Sequence, residues 1–497
     1  MQSPFHGEDT QANKSKSLSN PMLARFLSIF FLLCLQLSAR QESPNIILFV
    51  SDDHGTDALG AYGNPVIQTP NLDRLASEGT LFTNAYCTSA SCAASRSVIL
   101  TGKFGHATGS YGHVHDYHHF RTFDDVQSLP VLLEKAGYLT ARIGKYHLAP
   151  ESVYRFDLVL KADPRSTIEM AEACEEVILQ DKPFFLYFCP DDPHRGHPFT
   201  PEEWDQPNNF GNRPEPYPGE TQVRYDPAAV LVPAFLPDSS ESRLEIAQYY
   251  QSVSRIDQGF GKLLAILEAS GKADNTVIFY LSDNGVAFPG AKTTVYEPGI
   301  RLPFIVKDPR GDRQGEVSEA MITWADLTPT NLDFAGVEFD PASFHGRSFL
   351  PILEGKEPDE SRDEMYASHN FHELTMYYPM RVVRSGDYKL IWNLAHGLPY
   401  PFASDLWAAS TWQEVHRKGK EYFGNRKVED YLYRPEFELY DLADDPDELV
   451  NLATDPAYST KLDELKNKLK DFQKETRDPW LILWDNDISL QGTGVNL

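Results

Sequence analysis

Cysteine is scarce in this chain, 5 in 497 residues. Setting aside Cys34 near the start, the body of the chain holds Cys87, Cys92, Cys174 and Cys189. So few cysteines give no disulfide framework, and none of their spacings resembles a zinc site. Basic residues are also in short supply, with Lys plus Arg at 45 against 72 for Asp plus Glu and a formal net charge of −27. A surface this acidic repels nucleic acid and anionic membranes, and no run of five basic residues offsets it. No nucleic-acid partner is therefore expected, and an anionic substrate must meet a local cationic pocket. Internal repeats and flexible linkers are missing. Composition is ordinary, 41 % hydrophobic and 24 % charged, which excludes a disordered or fibrous chain. The length is enough to bury a large core without staples.

Long apolar runs are few. The one at residues 26–37, FLSIFFLLCLQL, follows Arg25 and precedes Ser38 and Ala39. It is too short to span a bilayer and reads as a signal peptide cleaved near Ala39, with no stable membrane insertion. Leu33 stands where a lipobox needs a small residue, so no lipid anchor is expected. Residues 1–40 are assigned as leader, with Met22 a candidate start. The one N-x-Ser/Thr sequon, at Asn13, lies inside that leader. These features suit an exported bacterial protein, periplasmic or secreted.

Four short apolar stretches read as strands buried on both faces, at residues 45–50, 184–188, 276–281 and 304–306. Helices are predicted at 70–78, from Cys92 to about 100, at 128–135 and at 243–270, with a further strand at 139–143. Alternating strands and helices mean an α/β fold with a large, mainly parallel sheet flanked by helices. Near residue 375 the pattern changes. A hairpin at 380–384 and 388–392 around Ser385-Gly386-Asp387, then a helix at 461–472, predict a smaller α+β subdomain. The expected division is a catalytic domain at 41–375 and a C-terminal subdomain at 376–497.

Three of the buried strands end in polar clusters: Asp52-Asp53, Asp192-Pro193-His194 and Asp283-Asn284. Ligands of open α/β sheets bind at the carboxyl ends of the strands. Asp52, Asp53, Asp283 and Asn284 make a hard oxygen set that suits Ca²⁺ or Mg²⁺; loop-capping remains the alternative. Cys92 opens a helix whose Arg96 lies one turn on and can face the same site, although a lone cysteine is usually a small buried hydrophobe. In an extended chain Lys145 and His147 would point to one side. Lys292, nine residues after Asp283, is a further cation, or else a surface lysine.

Together these residues resemble the type I sulfatases of the alkaline-phosphatase superfamily. Cys92-x-Ala94-x-Arg96 with Thr101-Gly102-Lys103 is similar to the signature in which cysteine is oxidised to formylglycine (3-oxoalanine). The segments at 45–55 and 70–72, Gly144-Lys145-x-His147, Asp192-Pro193-His194 and Ser282-Asp283-Asn284-Gly285 follow in the family's order. Within the family the chain resembles the N-sulfoglucosamine sulfohydrolases, or heparan sulfamidases. That likeness rests on His118-His119-Phe120, residues 144–156, Tyr225-Asp226-Pro227, residues 372–376 and Asp478-Pro479-Trp480.

The resemblance implies a mechanism. Hydrated formylglycine at Cys92 would attack sulfur after giving a proton to Asp283. Asp52, Asp53, Asp283, Asn284 and residue 92 would hold Ca²⁺. Arg96 and Lys145 would neutralise the sulfuryl oxygens, and His194 and Lys292 would face the leaving group. His147 would help expel sulfate. His118, His119, His372 and Glu373 are candidates for reading the sugar. The implied partners are a sulfated saccharide and a formylglycine-generating enzyme.

Three departures from the pattern stand out. Ala94 replaces the usual proline, no cysteine follows His194-Arg195, and Lys292 stands where animal sulfamidases carry arginine. The alternatives are an exo-acting O-sulfatase on another polysaccharide and an inactive glycan- or sulfate-binding protein with Cys92 unconverted. A phosphodiesterase of the superfamily would lack the Cys-x-Ala-x-Arg signature.

Overall fold

After Asn45 the first apolar run has no polar side chain until Ser51, so a strand built from it needs cover on both faces. The strand Asn45–Ser51 gets that cover at the centre of an eight-stranded sheet. Ile46, Leu48 and Val50 face one buried cluster, and Ile47 and Phe49 face the other. The computed structural model describes residues 43–196, 210–311, 313–356, 358 and 360–484. The leader, the proposed start at Met22 and His197 lie outside the described residues.

Across the sheet the order is Leu158–Val159, Leu139–Gly144, Phe184–Cys189, Asn45–Ser51, Thr276–Ser282, Phe304–Lys307, Thr80–Phe82 and Glu316–Ser318. Five neighbouring strands, from Leu158–Val159 to Thr276–Ser282, run parallel. Phe304–Lys307 is antiparallel to both its neighbours. An apolar run shows burial and not direction. Here the loop 283–303 stays at the carboxyl end of its strand, so the chain re-enters the sheet from that end. The sheet is therefore mixed but mostly parallel, as expected.

The helices Pro70–Glu78 and Ser240–Ala269 pack together on one face. The helix Cys92–Thr101 is buried along its whole length. Beyond the main sheet, Glu364–His369, Met380–Ser385, Tyr388–Asn393 and Phe437–Asp441 form a four-stranded antiparallel sheet. Leu465 and Leu469 of the helix Ser459–Glu475 cover it, against Val383, Leu390 and Leu439. The first of these strands lies ahead of residue 376. Among the described residues no helix is long and apolar enough to cross a membrane. Cys87, Cys92, Cys174 and Cys189 are all buried thiols.

Candidate active site

Strand register builds the site. Ser51 pairs with Ser282 on adjacent parallel strands, so Asp52 and Asp53 leave the sheet beside Asp283 and Asn284. Asp283 Oδ1 accepts from the amides of Asp53 and Asn284 at 3.1 and 2.8 Å. Asn284 Nδ2 donates to Asp53 Oδ1 at 2.6 Å. All four side chains are fully buried. Asp53 sits in the left-handed region at φ 67°, a conformation that concentrates at functional sites.

Crowding carboxylates out of water disfavours their charge. Burial, with Asp52 and Asp283 alongside, pushes Asp53 up to about 7 against the pull of Lys292. Burial and Asp52 push Asp283 up to about 6, opposed by Arg96 and Lys145. Burial acts the same way on Asp52, yet Lys145, His194 and Arg96 outweigh it and hold that carboxyl far below its usual range.

Cys92 opens its helix one residue after Ser91, whose hydroxyl meets His372 Nδ1 at 3.0 Å and makes no cap bond. Cys92 Sγ lies 3.9 Å from Asp53 Oδ1 and shares a spot with Asp52 and Asp283, the three donor atoms all within 4.8 Å of one another. Burial raises the thiol well above its ordinary pKa despite Lys145 and Lys292. One turn on, Arg96 donates from Nε to Asp283 Oδ2 at 2.9 Å. Lys145 pairs with Asp52 Oδ2. Gly144 ends its strand at φ 79°, and a Cβ there would lie 2.0 Å from the Cys189 carbonyl oxygen, so only glycine makes this turn. Lys145 and His147 both line one cavity, but not through an extended chain: the strand has ended, and His147 itself is left-handed at φ 54°.

Lys292 is fully buried. It donates to Asp53 Oδ2 at 2.9 Å, Asp405 Oδ2 at 3.0 Å and His194 Nε2 at 2.9 Å. His194 Nδ1 meets the Arg195 carbonyl at 2.7 Å. That contact assigns the proton to Nδ1 and leaves Nε2 to accept from lysine. Burial and Lys292 hold His194 well below its ordinary pKa, while Asp405 and Asp53 hold Lys292 above its own against the cost of burial.

A cavity of about 700 Å³ opens over these groups, bordered by Asp52, Lys145, His147, His194, His372 and Glu373. His118 also reaches it, with Nδ1 accepting from the Leu374 amide at 2.9 Å. His119 does not line it: it is exposed, with φ 54°. Sequence reasoning missed Asp405, His113 and His115. His113 Nε2 stands 3.0 Å from His372 Nε2, and His115 Nδ1 stands 2.7 Å from His147 Nε2. The His113-Val114-His115 spacing was a usable signal for that pair; a solitary aspartate in an aromatic loop gave none.

The oxygen set suits a hard divalent cation. Among the described residues Asp52 Oδ1 and Asn284 Oδ1 are buried with no hydrogen-bond partner, a costly state for a polar atom unless something else satisfies it. Both oxygens border the same group of buried carboxylates.

Residues 44–337 match the sulfatase family, and the chain belongs to that family. Residues 290–397 further match the C-terminal family of N-sulphoglucosamine sulphohydrolase. The human N-sulphoglucosamine sulphohydrolase is 38 % identical over 466 residues, covering 89 % of this chain and 92 % of that one. An N-acetylglucosamine-6-O-sulfatase of Bacteroides thetaiotaomicron is 28 % identical, covering 88 % and 87 %. A solved structure in complex with its substrate, D-glucosamine-2-N,6-O-disulfate, aligns with TM-score 0.64 and 26 % identity over 88 % of this chain and 99 % of that one.

Proposed function

We propose that this sulfatase hydrolyses a sulfamate or sulfate ester on a sulfated sugar, with N-sulfoglucosamine at a non-reducing end as its substrate. The observation that carries the reading is the placement of Cys92 among Asp52, Asp53 and Asp283, with Arg96, Lys145 and Lys292 as the flanking cations. A thiol whose pKa burial raises well above its ordinary value stays protonated and is a poor nucleophile, which supports a modified residue 92. Asp52, Asp53, Asp283 and Asn284 would hold the cation, assigned as Ca²⁺ with Mg²⁺ the other hard choice. Oxidised to formylglycine by a maturing enzyme, residue 92 would supply a hydrated aldehyde as nucleophile, and the cation would ease its deprotonation.

The remaining work falls to side chains of the chain itself. Asp283 accepts the nucleophile's proton. Arg96 and Lys145 neutralise charge on the sulfuryl oxygens. Of the pair facing the leaving atom, Lys292 carries the proton and His194 Nε2 accepts its hydrogen bond, so the proton delivered to the leaving nitrogen or oxygen starts on Lys292. His147 is held neutral by burial and Lys145; with its buried Nδ1 unpartnered among the described residues, it can take a proton as sulfate departs. His118, His372 and Glu373 border the sugar. His119 does not line the cavity.

The test is sulfate release from N-sulfoglucosamine and from 2-O- and 6-O-sulfated sugars, with Cys92→Ala alongside. Cys92→Ala should lower kcat about a thousandfold or more, with the thermal transition kept. A variant at wild-type rate would sink the assignment. Mass spectrometry of the peptide bearing residue 92 reports the aldehyde directly; an unmodified thiol favours the glycan-binding alternative. The O-sulfatase reading shares every one of these residues, and it draws support from the disulfated sugar in the solved relative.

Export with cleavage near Ala39 is part of the proposal and is checked by N-terminal sequencing of the mature chain. So is the division at residues 375 and 376, which the small sheet supports from its second strand onward.

A further inference from the structure

Residues 400–416 gather rings beside the catalytic cavity. A second cavity, of about 780 Å³, is lined by the rings of Phe402, Trp407, Trp412 and His416 together with Glu373 and Ser404. Glu373 and Ser404 also line the catalytic cavity. Glu373 Oε1 accepts from Ser404 N and Oγ at 2.9 and 2.6 Å, so a single hydrogen-bonded ridge separates the two spaces. The short helix Ser404–Trp407 serves both. Asp405 bonds Lys292 on the catalytic side, and Trp407, two residues on and so on the far side of the turn, enters the ring-lined space.

The rings are fixed in place. Trp407 lies 5.6 Å from Phe402, 6.2 Å from Trp412 and 5.0 Å from His416, centroid to centroid. Glu245 accepts from the amides of Ser410 and Thr411 at 3.2 and 3.1 Å, anchoring the helix that carries Trp412 and His416. Trp407 and Phe402 are half-buried and His416 is exposed, so ring surface meets solvent above a packed base. Among the described residues neither lysine nor arginine lines the cavity, which leaves a sulfate without a permanently cationic partner there. The C–H face of a pyranose suits such a wall, because it buries apolar surface against an aromatic plane.

We propose that this cavity is a subsite for an unsulfated pyranose ring joined to the sugar whose sulfate is removed. The proposal rests on the sulfatase reading and deepens it, by making the substrate a saccharide of at least two rings.

The experiment compares kcat/KM for N-sulfoglucosamine alone with kcat/KM for the same sugar linked to an uncharged, unsulfated pyranose such as glucose. It is run on the wild type, Trp407→Ala and Trp407→Phe. The expected wild-type ratio favours the disaccharide about five- to tenfold. Trp407→Ala brings the ratio to about one, and Trp407→Phe keeps most of it. Equal rates for the two substrates in the wild type, or one ratio shared by all three proteins, would overturn the subsite. Calorimetric titration of the Cys92→Ala protein with the unsulfated disaccharide adds a reading independent of turnover. Binding that Trp407→Ala weakens at least fivefold supports the subsite, and no binding overturns it. If the wild type hydrolyses neither sugar while this titration is positive, the sulfatase reading falls and the subsite stands.

Discussion

Lys292 is a buried ammonium balanced among Asp53, His194 and Asp405, and among the described residues Asp405 is its one carboxylate partner outside the Asp52–Asp283 group. Asp405→Asn keeps the shape and removes the charge. The expected result is a fall in kcat of about tenfold or more with little change in thermal transition, read by steady-state kinetics and calorimetry on one preparation. An unchanged kcat would mean that Lys292 does not depend on this partner. Asp53→Asn should raise the calcium needed for half-maximal rate by about ten- to hundredfold; an unaltered calcium titration would count against the oxygen set. Asp52, Asp53, Lys145, His194, Asp283 and Asn284 were legible because they follow strand ends, where polar groups interrupt an apolar run; Cys92 and Arg96 were legible from the helix start and the signature around them. Asp405 escaped because no period or motif surrounds it. His118 and His119 looked alike in sequence, but adjacent positions of a turn take different sides, and only His118 reached the cavity.

Elements carry constraints of their own. A Cβ on Gly144 would collide with the Cys189 carbonyl. Gly144→Ala should therefore displace Lys145 from Asp52 and cost more than the roughly 1 kcal/mol that backbone strain alone would take, seen as lost activity together with a lower Tm. Farther out, Asp478 clamps Arg381 of the strand Met380–Ser385 through bonds of 2.6 and 3.1 Å, both side chains fully buried. Burial would raise the Asp478 carboxyl, but Arg381 overrides it and holds it at about 2, against an ordinary 3.8. A depressed carboxylate stabilises the fold above its unfolded pKa, and that contribution, about 2 kcal/mol, is lost as pH falls from about 4 to about 2. Asp478→Asn leaves a buried guanidinium unpaired and should cost about 3–5 kcal/mol near neutrality. The gap from wild type should narrow in urea titrations below about pH 4; a gap constant with pH would refute the linkage.

The long buried strands and the helices named from the sequence were legible to within a few residues, because apolar runs and amphipathic spacing mark their boundaries; the strands Leu158–Val159, Thr80–Phe82, Glu316–Ser318 and Glu364–His369 were not, the first three being two or three residues long with no period to read. The reversal of Phe304–Lys307 was not legible, since strand direction depends on where the preceding loop sits.

At the scale of the whole molecule the net charge of −27 opposes an anionic saccharide at long range, while the cations that receive it are enclosed. Salt screens the exterior more than the buried pairs. Raising ionic strength from about 10 to about 150 mM should therefore raise kcat/KM about twofold or more, whereas a substrate drawn in by a basic face would show a fall.

Cys92 is 1 % exposed, on a helix enclosed by strand ends whose partners lie some 230 residues apart in the chain. Long-range pairings of this kind form late in folding. If residue 92 is oxidised as proposed, a modifying enzyme would reach that thiol only before the sheet closes. Maturation would then be a race against folding, and a fast-folding variant would emerge correctly shaped yet chemically unfinished.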